Sequence, residues 1–457
     1  MKKNLVLLTG VAAFVALFYG QEMGLNFSLF ALLLWLSVFL TTPKEHHTAT
    51  FWWLTAALGA AAGAFAWYGD PVSFLAVFAT LVLVVCKAHQ PSLSILLTPF
   101  AGFLNFASFI FRAPILTNWL PVNNLLTANF YKKAIYYVLI PGGLAAGFLI
   151  IYSSGSELFG SFFHINWDAD FLQIGFLSAL GFFLLFCFVH YWSPSQLSMI
   201  NNKLNDHFSE EYRRRLQEQQ STDTDFYRRS AEISLIILNT IVLFFIVTYC
   251  IEQFGSKNTD SSLSSELHER VYVLIFSIVM AIFVIMLFFR GALNFTAKAE
   301  LLKKSAFTWI LLNAALVFVV VLKNNQYVTA YGLTFKRLGV YLFLLLSAAG
   351  LLLTTLKIKN KRTNTYLIAR MIWVGYATLV TGVVINWSWI VTRYNLEYQT
   401  TFDTEYALSL PYNRRLLYDT KINQETPDKK APFLQQIETE KKRPLLSRRL
   451  YYQFLNL

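Results

Sequence analysis

The cluster nearest to reactive chemistry is Glu266-Leu-His268-Glu269, one imidazole flanked by two carboxylates. Such a set could bind a metal or move a proton. Two imidazoles reach one helical face at the HExxH spacing, however, and that spacing is absent here. His164 is the other histidine expected on the same side of the molecule, so neither a metal nor a cofactor is expected. A second candidate is Asn324 to Tyr341, reading NNQYVTAYGLTFKRLGVY, a polar stretch between two apolar runs that carries Tyr331 and the adjacent cations Lys336 and Arg337. Nucleophile elbows, phosphate-cradling glycine loops and paired redox cysteines are missing. Cys86, Cys187 and Cys250 lie within or at the ends of apolar runs without ligand spacing, which reads as small buried hydrophobes.

An ionisable group inside a membrane is costly and marks function by default. Here Lys87, His190, Glu252, Arg290 and Arg370 fall at the ends of apolar runs, where long side chains can snorkel to an interface. The runs themselves are almost free of charge, which weakens the case for a proton-coupled pump or an ion channel. Asn239 and Asn313 lie deeper, and hydrogen bonding between helices is a better reading of them than contact with a substrate.

The elements that must position these residues follow from composition. Hydrophobic residues make up 56% of the 457 and charged residues 14%, far from the roughly 45–50% and 25% of soluble chains. Apolar runs of about 17–25 residues recur without alternation, so the expected fold is all-α, a polytopic transmembrane helix bundle in a lipid bilayer rather than a barrel. The net charge of +12 fits loops rich in Lys and Arg beside anionic lipid, and nucleic-acid binding is not expected.

Ordering the runs by the positive-inside rule gives about eleven spans, with the N-terminus cytoplasmic and the C-terminus exterior. The bundle is expected over residues 1–389, with 94–112 interfacial or re-entrant and 193–230 a cytoplasmic loop. A small exterior C-terminal tail covers 390–457. Pro141-Gly142-Gly143 predicts a kinked or broken helix, and Thr222-Asp-Thr-Asp225 resembles a capping box. The alanine and glycine run LGAAAGAFA within 51–68 predicts close approach to a neighbouring helix. On this topology Lys336 and Arg337 are exterior, at the start of a helix whose dipole disfavours cations. The expectation is that Arg337 pairs with Glu266, Glu269, Asp403 or Glu405. Gly332 would supply the turn and Thr334 the N-cap of the following helix.

Several segments together carry a family resemblance: Gly24-Leu-Asn26, Ile237-Leu-Asn239, His268-Glu-Arg-Val-Tyr272, Tyr331-Gly-Leu-Thr334 with Arg337, Arg393-Tyr-Asn395, and Asp403 with Tyr406. The chain resembles the bacterial polytopic membrane proteins of domain-of-unknown-function family 4173, akin to family 4153. The resemblance implies a bacterial cytoplasmic (inner) membrane protein with an exported C-terminal segment, and it implies no activity.

Three functions fit these expectations. The leading one is a non-enzymatic membrane protein, either permease-like or a component of an envelope complex that meets an envelope protein through residues 400–457. An enzyme acting at the exterior face on a lipid-linked or envelope substrate would use His268, Glu269, Arg337 and Arg393. A signalling subunit would report through the loop 203–229.

Overall fold

The computed structural model describes residues 2–115, 137, 140–155, 169–218, 222–255, 263–289, 291–296, 298–422 and 427–456. Every regular element among them is helical. The first nine helices are α1 (Lys2–Phe18), α2 (Leu25–Thr41), α3 (Ala49–Tyr68), α4 (Pro71–His89), α5 (Thr98–Ala107), α6 (Phe109–Arg112), α7 (Ile140–Gly155), α8 (Ala169–Val189) and α9 (Ser195–Lys203). Then come α10 (Glu210–Glu218), α11 (Thr222–Gly255), α12 (Leu263–Phe288), α13 (Glu300–Tyr331), α14 (Phe335–Lys359) and α15 (Asn364–Val384). Five shorter helices follow: α16 (Trp387–Tyr398), α17 (Thr404–Ser409), α18 (Arg414–Thr420), α19 (Pro427–Lys441) and α20 (Leu450–Gln453).

Seven segments among the described residues are long and apolar enough to cross a membrane: Ala49–Tyr68, Pro71–His89, Asp170–Val189, Asp225–Glu252, Glu300–Tyr331, Phe335–Lys359 and Asn364–Val384. Lys3–Phe18 and Leu25–Thr41 are apolar but shorter, and Phe276–Phe288 is the part of the 26-residue α12 whose side chains are described. The difference from about eleven has a simple source. At about 1.5 Å per residue, 17 residues rise only about 26 Å against a hydrocarbon core of about 30 Å. Part of the expected span at 134–152 also lies outside the described residues, as do the side chains at 222–224 of the expected capping box.

The chain forms two compact units, residues 1–93 with 97–199 and 431–455, and residues 94–96 with 200–430 and 456–457. In the first unit α1 packs along α8 through two reciprocal small-residue contacts. A Cβ on Gly10 would lie 2.7 Å from Leu185, and one on Gly181 would lie 2.7 Å from Phe14. Small residues thereby admit a large side chain from the facing helix. Helix α2 is tied to α3 by Ser28 Oγ donating to the Ala62 carbonyl at 2.8 Å and by Trp35 Nε1 donating to Thr55 Oγ1 at 2.9 Å. On α3 the buried residues include Leu58, Ala61, Ala62 and Phe65, whereas Gly59 and Gly63 face open space. Asp70 caps α4 by accepting from Ser73 N at 2.7 Å, with Pro71 in the first turn.

Residues 98–112 form two short helices stapled to the end of α8. Asn105, fully buried, donates to the Cys187 carbonyl at 2.9 Å and accepts from Trp192 N at 3.0 Å. Arg112 donates to the His190 carbonyl at 2.5 Å and to Asn105 Oδ1 at 3.0 Å. His190 stacks on Phe186 at 5.0 Å. Burial, with Lys3 and Arg112 nearby, pulls its imidazole from 6.5 down to about 4. The unfolded chain therefore binds this proton near 6.5 and the folded chain only near 4, so stability falls as pH drops through that window. Thermal melts in detergent between pH 7.5 and 4.5, values chosen to bracket the window, should show His190→Gln flattening the decline; parallel wild-type and variant curves would contradict it.

The C-terminal segment of the first unit lies on the turns that follow α1 and α3. Glu22 N donates to Ser447 Oγ at 2.9 Å, Leu25 N donates to the Arg448 carbonyl at 3.2 Å, and Arg443 meets Glu22 at 2.6 Å. Phe454 stacks on Trp67 at 5.5 Å. Asn26, fully buried, fixes the first of these turns by accepting from Gly24 N at 2.9 Å and donating to the Glu22 carbonyl at 3.0 Å.

In the second unit α11, α12, α13 and α14 enclose an apolar core that includes Leu235, Ile278, Ile285, Leu302, Leu316 and Leu344. Trp309 Nε1 donates to the Ala281 carbonyl at 3.1 Å and joins α13 to α12. Within α11, one terminal nitrogen of Arg228 donates to both carboxylate oxygens of Glu232, at 2.8 and 2.9 Å.

Candidate functional site

The site is built where α13 hands over to α14. Nothing in Lys323-Asn-Asn-Gln-Tyr-Val-Thr-Ala-Tyr331 breaks a helix, so α13 continues to Tyr331. Its 32 residues span about 48 Å, well beyond the hydrocarbon core. The polar connector expected over Asn324 to Tyr341 is therefore mostly helix, and the break is confined to Gly332-Leu-Thr334. Gly332 has φ +80, a backbone that glycine adopts without a Cβ penalty. Thr334 caps α14 by accepting from Arg337 N at 3.3 Å, as its position predicts.

Asn395, on α16, engages both polar atoms of Leu333: its Oδ1 accepts from Leu333 N at 2.6 Å and its Nδ2 donates to the Leu333 carbonyl at 2.9 Å. The amide thus pairs with the chain break as a neighbouring backbone would. One turn on, Gln399 donates to the Thr329 carbonyl at 3.1 Å. Tyr406 Oη accepts from Phe335 N at 2.9 Å, and Tyr406 is itself set by Asp403, which caps α17 at 2.9 Å. Beneath these contacts Val328, Leu333, Val391 and Leu410 form a small buried cluster.

Arg337 departs from the sequence expectation as regards Asp403 and Glu405, the side chains of Glu266 and Glu269 lying outside the described residues. Its guanidinium donates to the Tyr331 carbonyl at 3.0 Å and to the Gly332 carbonyl, and it lies 5.7 Å from the centre of the Tyr331 ring. No carboxylate among the described residues forms a salt bridge with it. Although Arg337 starts α14 in sequence, in space it faces the last carbonyls of α13, the negative end of that helix dipole. The placement that looked unfavourable is a C-terminal cap.

The other expected residues separate from this junction. Lys336 is exposed. Arg393 lies over Trp389 at 5.3 Å and reaches Glu397 at 3.8 Å. The side chains of Glu266, His268 and Glu269 are outside the described residues, and a three-residue metal cluster is absent among those that are described. Asn239 joins two helices, as expected, by donating to the Ser305 carbonyl at 2.9 Å. Asn313 does not; its Nδ2 bonds to the Trp309 carbonyl of its own helix at 2.8 Å, and the side chain is fully enclosed.

Sequence reasoning missed Lys357. It is fully buried and donates to the Phe289 carbonyl at 2.9 Å, just past the end of α12. Asn294 and Asn364 donate to the same helix end, at the Phe289 and Met286 carbonyls. The available signal was spacing: Gly350, Leu351, Thr354, Lys357 and Ile358 form one buried stripe of α14.

What this arrangement does chemically is hold chain segments together. Arg337, Asn395, Gln399 and Tyr406 all act on backbone atoms. A family model described as Domain of unknown function (DUF4153) matches residues 28–419. It is the second of the two related families suggested by the motif residues, and its range includes the whole junction. No curated protein matches the chain, and no solved structure does.

Proposed function

We propose, on the premise that the chain belongs to the domain-of-unknown-function family DUF4153, that it is a non-enzymatic, multi-pass component of an envelope complex in the bacterial cytoplasmic membrane. In this reading about eleven segments cross the bilayer, the N-terminus is cytoplasmic and the C-terminus exterior. Residues 390–430 and 431–456 form exterior platforms held to their respective units. The observation that supports it is the use made of the patterned residues: Arg337, Asn395 and Tyr406 are engaged with the backbone between α13 and α14, which builds a surface rather than a reaction centre. Tyr398 and Leu445, each 65% exposed, are the groups such platforms offer to an envelope protein.

Two measurements test the reading. Topology reporters fused after residues 112, 215 and 260, and after 330 and 457, should give cytoplasmic signals at 112 and 215 and exterior signals at the other three. An exterior signal at 215 would overturn the frame. Photo-crosslinkers at 398 and 445 in living cells should join the chain to an envelope protein, and recovery of self-crosslinks alone would rule out the partner.

A further inference from the structure

In the second unit, at the end where α14 turns into α15, four cations gather around two aromatic rings. Phe295 lies in the segment joining α12 to α13. Its ring carries Arg213 at 5.5 Å and Lys361 at 5.6 Å, with Phe208 edge-on at 5.2 Å. Arg362 follows directly in the chain, meets the His207 ring and lies 5.6 Å from the centre of Tyr366. Arg370 shares that ring at the same distance and reaches Asp206 at 3.9 Å. The loop carrying Asp206 and His207 is fixed in place by Thr363 Oγ1, which donates to the Asn205 carbonyl at 2.7 Å.

Charge is poorly balanced here. Asp206 is the acidic partner of Arg370, while Arg213 and Lys361 face a ring that attracts each of them by only about 0.5–1 kcal/mol and neutralises neither. Arg213 Nε is also buried without a hydrogen-bond partner. The backbone adds a second sign of design against stability. Lys361 has φ +48, at a helix terminus where glycine or asparagine is the usual occupant. The chain holds a lysine in a conformation that disfavours it, and that lysine is one of the two cations on Phe295.

We propose that Arg213 and Lys361 on Phe295, with Arg362 next to Lys361 in the chain, form a binding site for a phosphate group. Arginine forks and a lysine point charge suit a tetrahedral anion with several acceptor oxygens. The site sits where two candidate spans end, at Lys359 and Asn364, the depth at which lipid headgroups lie, so an anionic phospholipid and soluble phosphate are the two sources of that group.

The test uses the full chain in phosphatidylcholine nanodiscs, titrated either with phosphatidylglycerol in the bilayer or with inorganic phosphate in solution, and read as thermal stabilisation. Wild type should show saturable stabilisation by at least one probe. Lys361→Gly should raise the half-saturating amount about tenfold, a loss of about 1.4 kcal/mol. Because glycine relaxes the positive φ, its melting temperature without ligand should equal or exceed that of wild type, which separates lost binding from lost fold. Arg213→Gln should behave alike in binding, and Arg415→Gln, an exposed cation beside Asp419, should leave the titration unchanged. Stabilisation by phosphatidylglycerol alone would assign a lipid headgroup, and stabilisation by inorganic phosphate in pure phosphatidylcholine would assign a soluble ligand. Absence of saturable stabilisation by both probes, or a Lys361→Gly titration that superimposes on wild type, would overturn the proposal.

Discussion

Asn395→Ala is expected to weaken the junction between α13 and α14 by about 2–6 kcal/mol, because it leaves both the N–H and the carbonyl of buried Leu333 unpaired, at about 1–3 kcal/mol each. Gly332→Ala should be comparably damaging for a different reason. Its Cβ would lie 2.8 Å from Asn395 Oδ1 at a residue with φ +80, which adds a clash to roughly 1–2 kcal/mol of backbone strain. The two substitutions share one contact, so their effects cannot add. With Asn395 shortened the clash disappears, and the double variant should be less destabilised than the sum by about 1–2 kcal/mol. Hydrogen exchange over 328–341 and 390–410 measures the local opening free energy directly. Strictly additive losses, or an Asn395→Ala variant that exchanges like wild type, would remove Asn395 from this role.

Why this junction was only partly legible can be stated residue by residue. Glycine at 332 and threonine at 334 have local rules, a positive φ and an N-cap, and both could be read from spacing. The end of α13 could not be placed by polarity, because Lys323 to Tyr331 is polar yet contains no breaker, and a helix stops where its backbone must. The partner of Arg337 was sought among carboxylates, since those are visible in a sequence. Its real partners are two main-chain carbonyls, which every residue carries and no pattern marks. The all-helical fold with segments long enough to cross a membrane, by contrast, followed from the apolar runs, because bilayer thickness imposes run length directly.

The same physics recurs at three helix ends. Arg112 donates to the carbonyl of His190 beyond α8, Lys357 to that of Phe289 beyond α12, and Arg337 to that of Tyr331 closing α13. A helix leaves its last four carbonyls without internal partners, and near a membrane boundary water satisfies them poorly. A cation with a long stem supplies donors and opposes the negative end of the dipole together. These three cations are thus explained by helix termination, and that none of them forms a salt bridge with a carboxylate among the described residues is what such capping predicts.

Gly24→Ala is expected to release the C-terminal segment from the first unit. At φ −166 the backbone itself would accept alanine, so the requirement is space: a Cβ would lie 2.5 Å from the carbonyl carbon and oxygen of Ser447. Main chain cannot rotate away as a side chain can, and the segment must move. Moving it disrupts Glu22 N to Ser447 Oγ, Leu25 N to the Arg448 carbonyl, and the Arg443–Glu22 pair. Overpacking at about 1–3 kcal/mol and two hydrogen bonds at about 0.5–1.5 kcal/mol each give a local loss of about 2–6 kcal/mol. Limited proteolysis should then cut within 431–456 while the spans stay protected, because Asn26 still fixes the turn through the Glu22 carbonyl and Gly24 N. Gly63→Ala, whose Cβ would meet open space, is the matched control and should digest like wild type. Equal protection of 431–456 in both variants would mean that this segment is held by something other than its fit against Gly24.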